Sequence, residues 1–187
     1  MKITHLMLLG LSGLLLIASP VQAAFFQENE HQLISQPIND DAYVAGERVT
    51  LKAPVNGELF AAGSIIDITQ PISRSAVIAG RTLNIEGKIG HNGWIAGENV
   101  TISGEIGHDL FVAGSSVVIE EGTVINGDLF VGAEKVELNG TVNGRVLAGA
   151  ERMTLNATVG KELRIYGENI EFTGGSVGQN LVYGSDK

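Results

Sequence analysis

The amino-acid sequence predicts an all-β protein whose folded domain is a single parallel β-helix (solenoid) of about eight 17-residue rungs. Three observations predict it. A small residue recurs at near-constant spacing, aliphatic residues recur two apart at fixed distances from it, and glycine or asparagine recurs between the aliphatic pairs. Aliphatic residues two apart are typical of strands with one buried face, and glycine and asparagine favour corners because they tolerate positive φ.

The repeat is anchored on the residue that ends each Ala-Gly-like step. These anchors are Gly46, Gly63, Gly80, Gly97, Gly114, Ala133, Ala150, Gly167 and Ser185. Their spacing is 17 residues, except for 19 before Ala133 and 18 before Ser185. Two additional residues near positions 120–123 account for the spacing of 19. Chance does not produce such regularity, so we interpret each period as one rung with three short strands and their corners.

Aliphatic positions at fixed distances from the anchor predict where the core lies. They fall three and five residues after it, as at Val49 and Leu51, and two residues before it, as at Ile78. Another falls eight residues before the next anchor, as at Ile72 and Ile89. Stacked rungs place like residues about 4.8 Å apart, so these positions form one continuous core. A long helix is excluded because no 3.6-residue period is present and glycine pervades the repeat.

The chain begins with the pattern of a secretory signal peptide. Lys2 supplies a positive start, an apolar run follows at 6–18, and small residues precede Ala24. The run is short for a membrane span, which needs about 20 residues. We therefore predict a signal peptide at 1–23, an N-terminal tail or cap at 24–41 and the β-helix domain at 42–187. An exported protein of the periplasm or cell envelope is expected, and a retained, membrane-associated anchor is the alternative.

Composition narrows the classes of partner. The formal net charge is −9 with only 12 Lys and Arg residues, so no nucleic-acid partner is expected, because phosphate binding needs clustered basic side chains. No Walker loop is present, so no nucleotide partner is expected either. The chain has no cysteine, and its stability must therefore come from packing and backbone ladders rather than from disulfides.

One outward register is unusually apolar. The position three residues before each anchor lies between two inward positions, so strand alternation points it outward. We call its residues the aromatic ladder: Tyr43, Phe60, Val77, Trp94, Phe111, Phe130 and Leu147. A solvent-facing apolar strip of this length is typical of a docking face. The alternative is that Phe25, Phe26, Leu33, Ile34 and Ile38, which precede the first rung, fold over part of it.

The second candidate surface is the C-terminal edge, which we define as Leu181, Val182 and Tyr183. A solenoid exposes unpaired backbone groups and core side chains at its ends. These residues enter a new rung, so we expect an edge to which the next molecule adds by strand pairing. The alternative is that the polar tail at 185–187 suffices to blunt this edge.

Catalytic chemistry is not predicted. The corners are short and leave no walls for a substrate cleft, and no nucleophile elbow appears, so we expect no enzyme, no catalytic residues and no cofactor. His91 and His108 are 17 apart and stack beside Asn92 and Asp109, a set that could hold a metal. The neighbouring rungs supply no third histidine. The pair is therefore interpreted as ordinary corner residues, and no metal site is predicted.

A resemblance to a known family lies in two consecutive segments. They read Gly127-Asp128-Leu129-Phe130-Val131 and Lys135-Val136-Glu137-Leu138-Asn139-Gly140-Thr141-Val142-Asn143-Gly144. Their repeat pattern, which extends over about 42–187, resembles that of the bactofilins, polymer-forming bacterial cytoskeletal proteins. The resemblance implies a right-handed β-helix that polymerises end to end without nucleotide as a scaffold at the cell envelope. The export signal and the aromatic outward register depart from that family, which is typically cytoplasmic with charged outward positions.

Three function classes follow from these observations. The C-terminal edge favours a non-enzymatic structural scaffold of the bacterial cell envelope that self-assembles end to end, with itself as partner in a homo-oligomer or filament. The aromatic ladder favours a periplasmic or secreted binding or adhesion module, whose partners are envelope proteins or an apolar surface. An enzyme or metal protein is the third and least favoured class.

Overall fold

The computed structural model describes residues 30–184. The predicted signal peptide at 1–23, the first residues of the predicted tail at 24–29 and the last three residues of the predicted domain at 185–187 lie outside the described residues.

Residues 30–184 form strands and turns with no helix, and every strand belongs to one parallel sheet. The strands are β1 His31–Ile34, β2 Ala42–Leu51, β3 Leu59–Ile68, β4 Ala76–Ile85, β5 Gly93–Ile102, β6 Leu110–Ile119, β7 Val124–Ile125, β8 Leu129–Leu138, β9 Thr141–Val142, β10 Val146–Val159, β11 Leu163–Val177 and β12 Leu181–Gly184. Each long strand pairs with its equivalent in the next repeat, in the order β1-β2-β3-β4-β5-β6-β8-β10-β11-β12. The protein is a β-solenoid, as the repeat predicts.

The strand register follows the sequence repeat, because equivalent residues of successive repeats face each other. Gly46 pairs with Gly63 and Gly63 with Gly80. The register holds across the longer repeat as well, where Gly114 pairs with Ala133 although 19 residues separate them. The stack has about nine turns, against about eight expected.

The solenoid begins before residue 42. Strand β1 pairs in parallel with β2 over four residues, from His31 opposite Arg48 to Ile34 opposite Leu51. Ile38 forms an isolated bridge to Val55. Part of the 24–41 segment therefore continues the sheet as an incomplete first rung.

The strands within a rung differ from the three short ones expected. Most rungs contain one ten-residue strand that runs through the anchor glycine, as in Ala76–Ile85, and a second contact that is only an isolated bridge, such as Ile72 to Ile89. The long strand continues past the anchor although its inward side changes there, from Ala76 and Ile78 before it to Leu83 and Ile85 after it. Gly80 and Gly97 are partners, and pairing resumes after one residue, at Thr82 and Asn99.

The core is the column of inward aliphatic side chains that the registers predict. Leu51, Ile68, Leu83, Ile85 and Ile102 are fully buried. The bridge positions are equally buried in a separate column made by Val55, Ile72, Ile89, Ile106 and Ile125. Each such side chain contributes about 1.5–3 kcal/mol when it leaves water.

Short polar side chains hold the corners together. The carboxylate of Asp41 accepts a hydrogen bond from the backbone N–H of Glu58, at 2.8 Å. Asn92, Asp109 and Asp128 accept equivalent bonds from the following rung at 3.0, 2.8 and 2.7 Å. Among the described residues, no buried side-chain nitrogen or oxygen lacks a hydrogen-bond partner. These rung-to-rung bonds supply cohesion in a chain without disulfides.

Candidate functional site

The aromatic ladder lies on the outer face of the first half of each long strand. Its neighbours in the chain are inward: Leu110 and Val112, on either side of Phe111, are both buried. Trp94 is 41% exposed and Phe111 36%. Tyr43, Val77 and Leu147 are also exposed, and Phe60 and Phe130 are half-buried. The ladder therefore faces solvent, as strand alternation predicts.

The rings of the ladder stack on one another along the rod. Tyr43 and Phe60 lie with ring centroids 4.7 Å apart and planes within 3°. Trp94 and Phe111 stack at 6.0 Å, and Phe111 and Phe130 at 4.6 Å. In-register pairing of parallel strands causes this, because it places equivalent side chains one strand spacing apart. The result is a rigid apolar ridge.

Small residues lie beside the ridge, two positions later in each rung. We call them the small-residue floor: Ala45, Ala62, Ala79, Ala96, Ala113, Gly132 and Gly149. The ridge and the floor together line an open groove of about 780 Å³ between Val77 and Tyr166. The lining side chains that reach it are almost all apolar, so the groove favours an apolar occupant.

The glycines of the floor differ from other glycines of the repeat. At Gly80 a Cβ atom would collide with the carbonyl oxygen of Gly63, and at Gly114 with that of Gly97. At Gly132 and Gly149 a Cβ atom would meet nothing within 4 Å, and neither has a positive φ. The fold requires glycine at the first pair of positions but not at the floor.

The groove closes where the size pattern reverses. Arg164 pairs with Leu147 and so occupies the ladder register, and Tyr166 pairs with Gly149 and occupies the floor register. Tyr166 is 50% exposed, and the guanidinium of Arg164 lies 2.9 Å from the carboxylate of Glu162. The rung therefore carries a cation on the ridge side and a ring on the floor side.

Of the residues considered as internal cover, the three that the structure describes do not lie over the ladder. Ile34 is buried in the core, Ile38 packs partly against it, and Leu33 is 61% exposed. The other two candidates, Phe25 and Phe26, lie outside the described residues. Within 30–184, nothing covers the ridge.

The rims of the groove are charged and mostly acidic. One rim precedes the ladder by two residues: Asp41, Glu58, Ser75, Asn92, Asp109, Asp128, Arg145 and Glu162. The other follows the floor by two residues: Glu47, Ser64, Arg81, Glu98, Ser115, Glu134, Glu151 and Glu168.

One ion pair on the first rim is well formed. The Arg145 guanidinium lies 2.6 Å from the Asp128 carboxylate. The Asp128 carboxylate accepts hydrogen bonds from the Arg145 side chain and from its backbone N–H. These bonds, together with the positive charge of Arg145, hold the pKa of Asp128 below its ordinary value. The carboxylate is therefore charged throughout the neutral range.

The C-terminal edge exposes residues of the inward registers. Strand β12 pairs with β11, which places Leu181 opposite Leu163 and Tyr183 opposite Ile165. Leu163 and Ile165 are buried, whereas Leu181 is 46% and Tyr183 72% exposed. Phe172, in another inward register, is 48% exposed. No described strand pairs with the far side of β12, so within 30–184 no rung covers the core residues at this edge.

Phe172 was not included in the predicted C-terminal edge, although its position in the repeat identifies it as an inward residue. It stands five residues after an anchor, as Leu155 does in the preceding rung. Leu155 is 1% exposed because another rung covers it. Tyr166 was also missed, because a single large residue in a small register looks like an exception rather than the end of a groove.

The two corner histidines stack as their spacing predicts. The rings of His91 and His108 lie 5.3 Å apart, edge to face. Within 30–184, no group of three or more His, Cys, Asp or Glu side chains is placed to hold a metal ion.

Comparison with known proteins adds no family assignment. No family model, no curated protein and no solved structure matches the chain. Within the described part, no helix is long and apolar enough to cross a membrane.

Proposed function

We propose that this protein is a structural scaffold of the bacterial cell envelope that joins to further copies of itself end to end. One observation carries the proposal: the last described rung presents inward-register side chains, Phe172, Leu181 and Tyr183, to solvent. In every inner rung the equivalent positions are covered by the next strand. A strand from a second molecule would supply that cover and continue the backbone ladder.

The physical driving force is the burial of this edge. Leu181 and Tyr183 would leave water on joining, and β12 would gain backbone hydrogen bonds. A head-to-tail contact between unlike ends gives an open filament when successive copies stay on one axis, and a strand ladder continued from one rod into the next keeps them on one axis. The bactofilin-like repeat pattern supports this proposal, because that family polymerises end to end. The signal-peptide pattern supports export to the periplasm or envelope.

The test compares the full chain, purified as the producing cell exports it, with a Val182→Lys/Tyr183→Lys variant by negative-stain electron microscopy. Two lysines at the edge place charges where the next strand would dock. A Thr154→Lys/Thr158→Lys variant adds the same two charges on the side of the rod, where Thr154 is half-buried and Thr158 is exposed. We expect filaments in the wild type and the control but not in the edge variant. Single rods in all three samples would refute the scaffold.

A binding or adhesion module is the second candidate function, and the apolar groove favours it. A stacked ridge beside a small-residue floor offers a preformed surface to an envelope protein or another apolar surface. Replacement of Trp94 and Phe111 by Ser separates the candidates. Filaments that persist in this variant while it no longer binds envelope fractions would favour the module.

A further inference from the structure

We propose that the groove is a self-complementary interface through which two copies pair side by side, with parallel axes and with the aromatic ladder of each over the small-residue floor of the other. This pairing uses the side of the rod and does not depend on joining at the ends.

The size pattern along the rod supports a second copy as the occupant. In seven successive rungs a large ladder residue is followed two positions later by a small floor residue, from Tyr43 and Ala45 to Leu147 and Gly149. A two-fold axis parallel to the rod, between the two registers, places every ridge residue over the floor of the same rung in the partner. Such an isologous contact requires that one face carry both complementary shapes, and this face carries both.

The spacing of the rungs favours the same occupant. The ladder repeats at the strand spacing, about 4.8 Å, and a second copy has the same repeat along its whole length. A docked helix repeats every 5.4 Å or so and would drift out of step with the stacked rings. Only a partner with the strand spacing meets every rung in the same way.

The floor glycines support close approach by another molecule. Among residues 30–184, nothing except the adjacent residues of the strand lies within 4 Å of a Cβ atom at Gly132 or Gly149. Glycine inside a strand is unfavourable by about 0.5–1 kcal/mol relative to alanine, and it often marks a site where another backbone or ligand comes near. In the proposed pair these two floor positions receive Phe130 and Leu147 of the second copy.

The charges on the rims are matched in this pairing over part of the rod, although the chain carries a net charge of −9. The two-fold axis sets each residue of one rim against the other rim of the same rung. In four consecutive rungs the facing pairs are Glu58 with Ser64, Ser75 with Arg81, Asn92 with Glu98, and Asp109 with Ser115. None of these pairs has like charges. Two acids face each other in three other rungs: Asp41 with Glu47, Asp128 with Glu134, and Glu162 with Glu168. Asp128 and Glu162 are each paired with an arginine of their own chain, Arg145 and Arg164, which reduces the repulsion. In a later rung Arg145 faces Glu151, which is attractive.

The closing rung continues the match. Arg164 on the ladder register of one copy would lie over Tyr166 on the floor register of the other. A guanidinium over an aromatic face is a favourable arrangement. The reversal of size at this rung therefore fits the same axis as the rungs before it.

The area suits a reversible dimer. The ladder spans six rung spacings, about 30 Å, and the face from the first rim to the anchor is about 17 Å wide at about 3.3 Å per residue. Its projected area is roughly 500 Å² per copy, at the low end of specific interfaces. We therefore expect dimers that form at micromolar or higher protein concentration.

The first test uses Gly132→Val/Gly149→Val in the Val182→Lys/Tyr183→Lys background, in which the ends are blocked. A Cβ atom meets nothing within 4 Å at either position, so we expect valine to leave the fold intact while its methyl groups obstruct the partner's ridge. Sedimentation should show a monomer–dimer equilibrium in the background chain, with a dissociation constant raised about tenfold or more by the two valines. Thermal unfolding checks that the variant is folded, and Thr154→Val/Thr158→Val serves as the matched control.

Two results would overturn the pairing: no dimer in the end-blocked chain at concentrations up to about 1 mM, or an unchanged dissociation constant in the floor variant. Failure here leaves filament formation untouched, since filaments are scored in the chain with open ends. The two proposals therefore fail separately.

The second test reads the orientation of the pair. The chain has no cysteine of its own, so single cysteines report cleanly. A mixture of Leu147→Cys and Gly149→Cys chains should be joined by a short bis-maleimide more readily than either chain alone, because two like cysteines would be offset sideways by about 6.6 Å in the pair. A mixture of Arg152→Cys and Thr154→Cys chains, two residues apart on another outward stretch of β10, is the control. Cross-linking equal to that of the control would contradict the parallel ridge-over-floor arrangement.

Discussion

Phe111 and Phe130 stack face to face, with ring centroids 4.6 Å apart and planes within 2°, although this rung is two residues longer than its neighbours. The two extra residues are accommodated at the corner between β6 and β7, where Gly122 has a φ of 88°. Thr123 returns the chain to the core there, and its hydroxyl donates a hydrogen bond to the carbonyl oxygen of Ile102 at 3.0 Å. Strand pairing therefore keeps the aromatic ladder continuous, and the two additional residues change only the conformation of the corner.

The corner at Gly122 gives the first prediction. Gly122→Ala should lower the free energy of unfolding by about 1 kcal/mol, because an L-residue is strained at this positive φ although the surrounding space is open. Gly122→Asn should cost less, because asparagine tolerates the left-handed region. Urea unfolding of both variants measures the difference. Equal losses for alanine and asparagine would show that the backbone conformation is not the cause.

Two glycines in different surroundings give the second prediction. A Cβ atom at Gly104 would lie 2.7 Å from the carbonyl oxygen of Glu86 and closer still to that of Gly87, whereas one at Gly132 would meet nothing. Gly104→Ala should therefore lower the free energy of unfolding by about 1–3 kcal/mol. Gly132→Ala should leave it unchanged or raise it by up to about 1 kcal/mol. Denaturant midpoints compare the two identical substitutions, and similar losses would contradict the open floor.

The inward and outward registers give the third prediction. Ile106 is fully buried in the column of bridge residues, and Val118 is half-exposed on the outer face of β6. Ile106→Ala should destabilise the protein by about 2–5 kcal/mol, because it leaves a cavity between two rungs. Val118→Ala should change stability by no more than about 0.5 kcal/mol. Thermal unfolding distinguishes them, and comparable losses would argue against this division into faces.

The core was predictable because each of its positions is repeated in every rung. A single aliphatic residue such as Ile89 carries little information, but the same register filled by Ile72 and Ile106 identifies one column. All three are fully buried. The outward direction of Trp94 and Phe111 followed from the same periodicity, since it depends only on strand alternation.

Features set by a rung's neighbours were harder to predict. The incomplete first rung at His31–Ile34 was missed because it is polar, short and without an anchor of its own. Whether a glycine is required by a close backbone, as at Gly104, or stands open, as at Gly132, depends on the neighbouring rung's path. Both positions read simply as glycine in the sequence, and the three-dimensional structure is needed to tell which of them is crowded.

The fourth prediction concerns the aspartate that connects two rungs at the groove rim. One carboxylate oxygen of Asp128 accepts the backbone N–H of Arg145 at 2.7 Å, and the other pairs with its guanidinium. Asp128→Asn keeps an oxygen for the backbone bond, as Asn92 does for Asp109, but removes the charge. Asp128→Ala removes both. In urea unfolding at neutral pH we expect the alanine variant to be the least stable and the asparagine variant to be intermediate.

The pH dependence of that difference follows from the lowered pKa of Asp128, which arises first from its side-chain bond to Arg145. Because the folded pKa lies below the unfolded value of about 3.9, the ion pair contributes stability above pH 4 or so and loses it as pH falls through the folded pKa. The difference in the free energy of unfolding between wild type and Asp128→Asn should therefore be largest at neutral pH and should disappear as the carboxyl group of Asp128 is protonated. The gap to Asp128→Ala should close only in part, because a protonated carboxyl group still accepts the backbone N–H. A wild-type to asparagine gap that persisted in strong acid would mean that the charge of Asp128 is not what stabilises this corner.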